Sequence, residues 1–403
     1  MEGSHSEFSS EVLEVVVERI LPGGMGLAHI DGRTLFVALS APGDRLRVKI
    51  EKVKGAVAFA SVAEILNRSP VRVEPPCPYF GNCGGCDFQQ LSYAAQLDAK
   101  VEIIKDCLRR IGGLKETPGF QITPAPNQWH YRSRAQWQYD AAGKRLGYFA
   151  SGSRRVCDVT ECAVLVPELQ EQLSSLRAEM DQGALPEERD FRAVVGDEGV
   201  SISPSVRSPS GREGSPHVIH RSIHGETYTL NAENFFQTNT DLLPQLIDAA
   251  LADERGESAV ELYSGVGLFT LPLARRFQQV IAVEGDTAAA RYAQINLENA
   301  GLSHAAIAIE NVGSWLAGNE HNPALASLDF LLLDPPRAGA ESRVIAGILQ
   351  LRPKRISYVA CDPATLARDL KKLLAGGYSL DSIVAFDMFP QTHHVETVVR
   401  LST

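Results

Sequence analysis

The chain has 403 residues, of which 44% are hydrophobic and 22% are charged. This length predicts two or three domains, and this much apolar material excludes a wholly disordered protein. No apolar run approaches the roughly 18 residues of a membrane-spanning helix, and the first ten residues lack the basic and apolar stretches of a signal peptide. We therefore expect a cytoplasmic protein that makes no membrane contact.

The net charge of −10 does not by itself indicate a nucleic-acid-binding protein. Residues 100–155 differ from the rest, because they carry eleven Lys or Arg against four Asp or Glu, a local net charge of +7. This distribution favours one basic face that could meet phosphates. Ordinary solvated surface charge is the alternative.

Seven cysteines, an odd number, argue against a disulfide framework in a cytoplasmic protein. Three of them (Cys77, Cys83 and Cys86) fall within ten residues, whereas Cys361 stands alone near the C-terminus. This uneven placement predicts separate roles for the cluster and for the single thiol.

The first 230 residues have the character of a β-rich region with one helix. Short alternating runs over 11–65 predict a small OB-like barrel, a fold that binds nucleic acid as often as not. Residues 67–90 are loop, 92–112 have the apolar spacing of a helix, and 128–165 return to strands. The segment 204–217 is poor in hydrophobic residues and is expected to be a mobile loop.

From residue 231 short apolar runs alternate with helical segments, which predicts a parallel, doubly wound α/β sheet. The strand–helix pairs are AVELY (259–263) with a helix through 276, VIAVE (280–284) with 286–300, FLLLD (330–334) with 341–351, and ISYVAC (356–361) with 363–375. Two final strands, 383–389 and 394–402, have a short link and predict an antiparallel pair. This ending resembles the methyltransferase version of the Rossmann-like fold.

The first strand of this sheet runs into a Gly265-x-Gly267 turn, and Glu284 ends the next strand. Two glycines let the backbone approach a ligand, and a carboxylate at that position can bind both ribose hydroxyls. Thr270 stands where a dinucleotide fingerprint places a third small residue, which favours an adenosyl ligand without phosphates. The alternative is a tight turn followed by a surface glutamate.

Asp334-Pro335-Pro336-Arg337 follows the FLLLD strand, at the edge of the sheet where ligands bind. An Asp followed by two prolines there is found where a methyltransferase meets its base. Amino-group methylases usually have an aromatic residue at the fourth position. Arg337 therefore speaks against methylation of an amino nitrogen.

Cys361 and Glu396 together suggest a reaction. Cys361 ends a predicted strand before a helix, a setting that we expect to lower the pKa of the thiol, although a small buried hydrophobe is equally compatible. Glu396 begins an apolar strand as either a base or a surface residue. Uracil C5 is a weak nucleophile until a thiolate adds at C6, and a base must then remove the C5 proton after methyl transfer.

The sequence resembles the RNA uridine-5-methyltransferase family along nearly its whole length. The motifs that carry the resemblance are NFFQTN (234–239), ELYSGVGLFTLPLA (261–274), AVEG (282–285), LDPPRAG (333–339), YVACDPATLARDL (358–370) and HHVETV (393–398). The resemblance implies Cys361 as nucleophile and Glu396 as base. It also implies that S-adenosylmethionine contacts Gln237, Tyr263, Glu284, Asn311 and Asp334.

The N-terminal half resembles the same family. Residues 11–65 look like its TRAM barrel, and four cysteines resemble the ligands of its iron–sulfur subset: Cys77, Cys83, Cys86 and Cys162. Four thiolates suit either a [4Fe–4S] cluster or zinc, and the resemblance favours the cluster. Cys107 and Cys157 are interpreted as core thiols.

We therefore expect three domains: a barrel over 1–66, a central iron–sulfur and RNA-binding domain over 67–230, and a methyltransferase domain over 231–403. Helix 92–112 is expected to pack on the last of these. The predicted enzyme is a monomer that methylates uridine C5 in RNA, with 23S rRNA as the expected substrate. The alternatives are tRNA uridine 54, cytosine-5 methylation, and an RNA-binding protein without activity.

Three residues depart from the usual family pattern: Glu261 and Ser264 replace Asp and Cys, and Asp362 replaces Asn. The last change places an acceptor where an amide donor is common, and it is expected to raise the pKa of Cys361. Basic and aromatic residues in the middle of the chain are candidates for RNA contacts, with burial in the sheet an equal alternative for Trp137. These are Tyr131, Arg132, Arg134, Trp137, Arg154 and Arg155.

Overall fold

The computed structural model describes residues 12–185, 190–204 and 217–403. In that part of the chain, no helix combines the length and apolar character that a membrane crossing requires. The loop predicted over 204–217 lies outside the described residues, apart from its two ends.

Residues 12–67 form one six-stranded sheet that curls around its own core, as the barrel prediction requires. The strands pair in the order β1-β5-β6-β4-β3-β2, and β1 also contacts β3. Along the fifth strand Leu46, Val48 and Ile50 point into the core while their charged neighbours face outward. The strands are β1 (Val12–Val16), β2 (Arg19–Ile20), β3 (Gly26–Ile30), β4 (Arg33–Val37), β5 (Arg45–Lys54) and β6 (Val57–Asn67).

The central region contains a five-stranded antiparallel sheet in the order β10-β9-β8-β11-β12, covered by helix α2. Leu169, Leu173 and Leu176 on one face of α2 are buried in the same core as Trp137. The elements are α1 (Tyr93–Arg110), β7 (Ile122–Thr123), β8 (Arg134–Asp140), β9 (Arg145–Phe149), β10 (Val156–Asp158), α2 (Pro167–Asp181), β11 (Asp190–Val195) and β12 (Val200–Ser203).

Two elements of the first 230 residues pack on the C-terminal region. Helix α1 contacts a late helix, and its Ile104 and Leu108 belong to the C-terminal core. The hairpin of β13 (Ile219–Ile223) and β14 (Glu226–Leu230) does the same, because the Tyr228 hydroxyl donates a hydrogen bond to the Leu268 carbonyl oxygen at 2.9 Å.

The C-terminal region is an eight-stranded sheet in the order β17-β16-β15-β18-β19-β21-β20-β7. Strands β15 to β19 are parallel and β20–β21 form an antiparallel pair, as predicted. The elements are α3 (Leu243–Leu251), β15 (Gly256–Leu262), α4 (Thr270–Ala274), β16 (Phe277–Glu284), α5 (Thr287–Asn299), β17 (Ala305–Ile309), α6 (Val312–Gly318), β18 (Phe330–Leu333), α7 (Ser342–Leu351), β19 (Arg355–Ala360), α8 (Pro363–Ala375), β20 (Ser379–Phe386) and β21 (Glu396–Ser402).

Strand β7 and helix α4 differ from the predicted elements. Strand β7 pairs in parallel with β20, although a two-residue strand carries no periodic signal. The helix expected through 276 is the single turn α4, because the glycine turn before it extends further than predicted. The central strand β18 is wholly buried, which explains its continuous apolar sequence.

Candidate active site

One edge of the parallel sheet gathers the predicted site residues. The carboxyl ends of parallel strands lie at the same edge, and the strand order reverses between β15 and β18, which is where ligands bind in such sheets. Tyr263, Glu284, Asp334 and Cys361 end or follow four neighbouring strands. Glu396 joins them because β21 runs in the opposite direction and therefore begins at this edge.

The glycine turn after β15 is tied to Glu284. The Gly265 N–H donates to Glu284 Oε2 at 2.7 Å, and the Asp286 N–H donates to Oε1 at 2.7 Å. Gly265 and Gly267 have φ angles of +56° and +96°, in the left-handed region that favours glycine. The turn is therefore held against the carboxylate that the sequence assigns to the adenosyl ligand.

Gln237 and Asn311 are the other two residues predicted to contact S-adenosylmethionine, and they differ in whether their side chains are already hydrogen-bonded within the protein. Gln237 is buried in the loop that follows β14. Asn311 follows β17, but its Oδ1 accepts hydrogen bonds from the N–H groups of Gly313 and Ser314 and thereby caps α6. The oxygen of Asn311 is therefore already engaged, and its role toward the cofactor stays a prediction.

Cys361 and Glu396 lie close together at the end of two paired strands. Ala360 on β19 and Thr397 on β21 form the last pair of the register, and Cys361 and Glu396 are the chain neighbours of these two residues. The charge of Glu396 also acts on the Cys361 thiol. Cys361 is half-buried, whereas Glu396 is 1% exposed and its Oε1 has no hydrogen-bond partner. An unpartnered buried carboxylate oxygen is costly, so this group is poised to bind a ligand or a proton.

The expectation of a lowered thiol pKa is wrong for this structure. Burial and the negative charges of Glu396 and Asp334 together raise the pKa of Cys361 to about 12, although Arg337 lowers it. The charge of Asp362 also raises this pKa, as expected from the sequence. Desolvation and three carboxylates outweigh the favourable position before a helix.

Two carboxyl groups of this edge, Asp334 and Glu396, hold their protons more strongly than usual. Burial raises the pKa of Asp334 to about 7. Burial and the charge of Asp334 raise the pKa of Glu396 well above its usual range, and Arg337 opposes the shift. A carboxylate with a raised pKa is a stronger base once it has lost its own proton, so the activity of Glu396 as a general base is expected to increase as pH rises.

Two departures from the family pattern have local structural roles. The Asp362 Oδ1 accepts the Thr365 N–H at 2.8 Å and caps α8, a position where Asp and Asn are equally favoured. Glu261 points into the protein, where the Thr270 hydroxyl donates to its Oε2. Burial raises the pKa of Glu261 to about 8. Ser264 is buried, and its hydroxyl has no partner.

The four cysteines assigned to a metal group line a single cavity, together with Arg132 and Tyr148. All are free thiols, and the Gly85 N–H donates to the Cys83 sulfur at 3.4 Å. Burial raises the pKa of Cys83 to about 11 and that of Cys86 to about 12. Cys107 and Cys157 are buried in apolar cores, as predicted.

These thiols do not converge on one point. Across the described ranges, no three His, Cys, Asp or Glu side chains are arranged so that they could hold a single metal ion. A tetrahedral zinc site needs four ligands around one centre. A [4Fe–4S] cluster is also held by four cysteine thiolates, so this geometry favours neither group, and the cluster stays a prediction from the family resemblance.

The aromatic residues proposed for RNA contact in the central region are mostly buried. Trp137 is 0% exposed in the sheet core, and Tyr131 donates its hydroxyl hydrogen to the Pro390 carbonyl oxygen. The burial alternative that the sequence offered for Trp137 therefore holds, and Tyr131, predicted to contact RNA, is buried as well. Phe235 was not predicted, although it is 59% exposed and has the Arg134 guanidinium 5.5 Å above its ring. Its position in the NFFQTN motif was the available signal.

Comparison with known proteins agrees with this geometry. Residues 217–403 match the family model described as tRNA (Uracil-5-)-methyltransferase, and residues 9–63 match the TRAM domain model. The 23S rRNA (uracil(1939)-C(5))-methyltransferase RlmD of Pectobacterium atrosepticum is 32% identical over 421 residues, 96% of this chain and 92% of that protein. The chain belongs to the RNA uracil-5-methyltransferase family.

Two further members of the family extend the comparison. The protein of the same name from Alkalilimnicola ehrlichii is 32% identical, and the alignment covers 96% of each chain. The Pyrococcus abyssi tRNA (uracil-54, C5)-methyltransferase, solved with S-adenosyl-L-homocysteine, has a TM-score of 0.73 at 24% identity and covers 96% of this chain and 100% of its own. The predicted α/β methyltransferase fold and TRAM barrel are confirmed.

Proposed function

We propose that the protein transfers a methyl group from S-adenosylmethionine to C5 of a specific uridine in 23S rRNA. The observation that carries the proposal is the register of β19 and β21, whose last pair is Ala360–Thr397, because Cys361 and Glu396 are the chain neighbours of these two residues. Two relatives that cover 96% of the chain are named for methylation of uracil 1939 of 23S rRNA, whereas the Pyrococcus abyssi structure is named for tRNA uracil 54. Membership of the family supports the reaction type.

The first step in the proposed mechanism belongs to Cys361. Its thiol loses a proton, and the thiolate sulfur bonds to uracil C6, which places negative charge on C5 and O4. Arg337 is the cation that lowers the pKa of this thiol. C5 then takes the methyl group, and the sulfonium of the donor becomes a neutral thioether.

Glu396 completes the reaction. Its carboxylate removes the C5 proton, the C5–C6 double bond re-forms, and the C6–S bond breaks to release the thiolate. Its buried position and its unpartnered oxygen support this role. The balanced products are 5-methyluridine, S-adenosylhomocysteine and one proton.

The donor site is proposed at the turn between β15 and α4. Glu284 would bind the ribose hydroxyls, with Tyr263 and Asp334 on either side of the point where the strand order reverses. Gln237 and Asn311 complete the proposed contacts. The raised pKa of Asp334, about 7, means that this carboxyl can donate as well as accept a hydrogen bond near neutral pH.

We further propose that Cys77, Cys83, Cys86 and Cys162 hold a [4Fe–4S] cluster. The four cysteines line one cavity and form no disulfide bonds, which supports this proposal. Methyl transfer from a sulfonium requires no electron, so the cluster would fix the fold of the central region rather than take part in the chemistry. Arg132 at the cavity wall would help to balance the charge of four thiolates.

RNA is proposed to approach the same edge of the sheet. Phe235 is exposed, the half-buried Arg134 lies over its ring, and such an aromatic side chain can stack on an unpaired base. Arg154 and Arg155 are exposed and available to phosphates. The uridine would have to leave any helical stack to reach Cys361.

Product analysis tests the proposal. The purified protein is incubated with S-adenosylmethionine and either a 23S rRNA fragment that spans uracil 1939 or a tRNA that carries uracil 54, and the RNA is digested to nucleosides. We expect 5-methyluridine on the rRNA fragment. Methylation of the tRNA alone would favour the other substrate class, and 5-methylcytidine or no product would contradict the proposal.

A further inference from the structure

The segment 387–395, which leads from β20 into Glu396, is anchored by residues from far outside the methyltransferase domain. Lys100 donates to Asp387 and to the Phe389 carbonyl oxygen. Tyr131 donates to the Pro390 carbonyl oxygen at 2.9 Å. The position of the proposed base therefore depends on helix α1 and on the central region.

The anchor nearest to Glu396 is Asp87. Its Oδ1 accepts the His393 N–H at 2.8 Å, and its Oδ2 contacts the His393 ring Nδ1. The N–H groups of Asp87 and Phe88 also donate to the Gln391 carbonyl oxygen at 3.1 and 3.0 Å. Asp87 follows Cys86 directly, so the cysteine-bearing loop is fixed to the chain three residues before Glu396.

The TRAM barrel meets the same pair of residues. Gly24 lies in the turn between β2 and β3 with a φ of +80°. A Cβ atom at Gly24 would stand 3.1 Å from Asp87 Oδ2 and 3.1 Å from His393 Cβ, closer than ordinary contact. Three separate regions of the chain thus converge on the Asp87–His393 pair.

We propose that Asp87 is a positioning residue that holds Glu396, through His393, for removal of the C5 proton. The inference rests on the proposed function. Small displacements of a reacting group slow a reaction by about a hundredfold per ångström, and Glu396 acts only after the covalent bond to Cys361 has formed. Loss of the anchor should therefore slow resolution of the RNA–protein adduct rather than its formation.

The Asp87→Ala variant removes both contacts, whereas Asp87→Asn can keep them with the other His393 tautomer. The adduct is followed over a single turnover on denaturing gels, with the 23S rRNA fragment that spans uracil 1939 and S-adenosylmethionine. We expect Asp87→Ala to lower kcat about tenfold or more and to accumulate adduct, with KM for RNA unchanged. Asp87→Asn should stay within about threefold of wild type.

Glu198→Ala is the matched control. Glu198 holds His220 in the same way, with contacts of 3.0 Å to the backbone N–H and 2.7 Å to Nδ1, but outside the proposed site. This variant should resolve the adduct at the wild-type rate. The iron content of each variant is measured in parallel, so that damage to the cysteine loop is detected separately.

A second test uses substitutions in the TRAM barrel to disturb the Asp87–His393 pair, so it does not require Asp87→Ala to fold. Gly24→Ala crowds Asp87 and His393, whereas Gly23→Ala, at a φ of +88°, meets nothing within 4 Å. Both variants bear the same backbone strain, and only Gly24→Ala should accumulate adduct. Equal adduct lifetimes for the two would overturn the inference, as would normal turnover by Asp87→Ala. A wild-type protein without adduct or product would instead overturn the proposed function.

Discussion

Cys361 is surrounded by charged side chains that shift the pKa of its thiol in opposite directions. Glu396, Asp334 and Asp362 raise the pKa of its thiol, and Arg337 lowers it. With a pKa of about 12 and with the base Glu396 also shifted upward, both reacting groups gain their active form as pH rises. Adduct formation should therefore increase with pH through the neutral range, as measured with RNA that carries 5-fluorouridine.

Arg337→Ala should move this pH profile to higher pH. Removal of the cation raises the pKa of Cys361 further, so the thiolate fraction at neutral pH falls about tenfold for each pKa unit. Arg337→Lys keeps the charge and should lie between Arg337→Ala and the wild type. An unchanged profile in Arg337→Ala would contradict the electrostatic account of the thiol.

Asp362→Asn should act in the opposite direction. The amide still caps α8, because Asn and Asp are equivalent at that position, but it removes a negative charge near the thiol. We expect faster adduct formation at neutral pH and no loss of thermal stability. A slower rate than wild type would indicate that the carboxylate itself contacts the uracil.

At the scale of elements, helix α1 is fixed to the end of β20 by the fully buried pair Lys100–Asp387. Lys100→Met leaves an unpaired buried carboxylate and should lower the free energy of unfolding by about 3–5 kcal/mol. Lys105→Met on the same helix removes an exposed pair with Glu102 and should cost under about 1 kcal/mol. Denaturant unfolding of both variants measures the difference, and equal losses would contradict it.

The sequence predicted those elements whose signal is local. Helix α8 has the predicted bounds 363–375, because its apolar spacing and its Asp362 cap lie within one stretch of chain. Strand β7 and the short helix α6 were missed, since their few residues depend on packing rather than periodicity. Residues 219–230, assigned to the central domain from the sequence, form the hairpin β13–β14, which packs on the methyltransferase core.

The candidate site was predictable in its residues but not in its energetics. Parallel strands bring their ends to one edge, which allowed Cys361, Glu396 and Asp334 to be grouped from the sequence. The thiol pKa was predicted with the wrong sign, because burial and carboxylates from other strands are invisible in a single motif. Asp87 was missed for the same reason, since its partner is His393.

At the scale of the whole molecule, the residues proposed to bind S-adenosylmethionine do not line the cysteine cavity. Cys162→Ser should therefore lose bound iron and visible iron–sulfur absorbance while it retains S-adenosylmethionine binding. Cys157→Ala, a buried thiol of the same region outside the proposed ligand set, should retain the iron. Iron loss in Cys157→Ala alone, or full iron in Cys162→Ser, would contradict the ligand assignment.

The proposed mechanism requires Cys361 as nucleophile and Glu396 as base, and one gel measurement tests both roles directly. The wild type, Cys361→Ala and Glu396→Gln are mixed with the 23S rRNA fragment and S-adenosylmethionine and then denatured. We predict a transient adduct for the wild type, a persistent adduct for Glu396→Gln, and neither adduct nor 5-methyluridine for Cys361→Ala. Methylation of the RNA by Cys361→Ala at the wild-type rate would contradict the proposed mechanism.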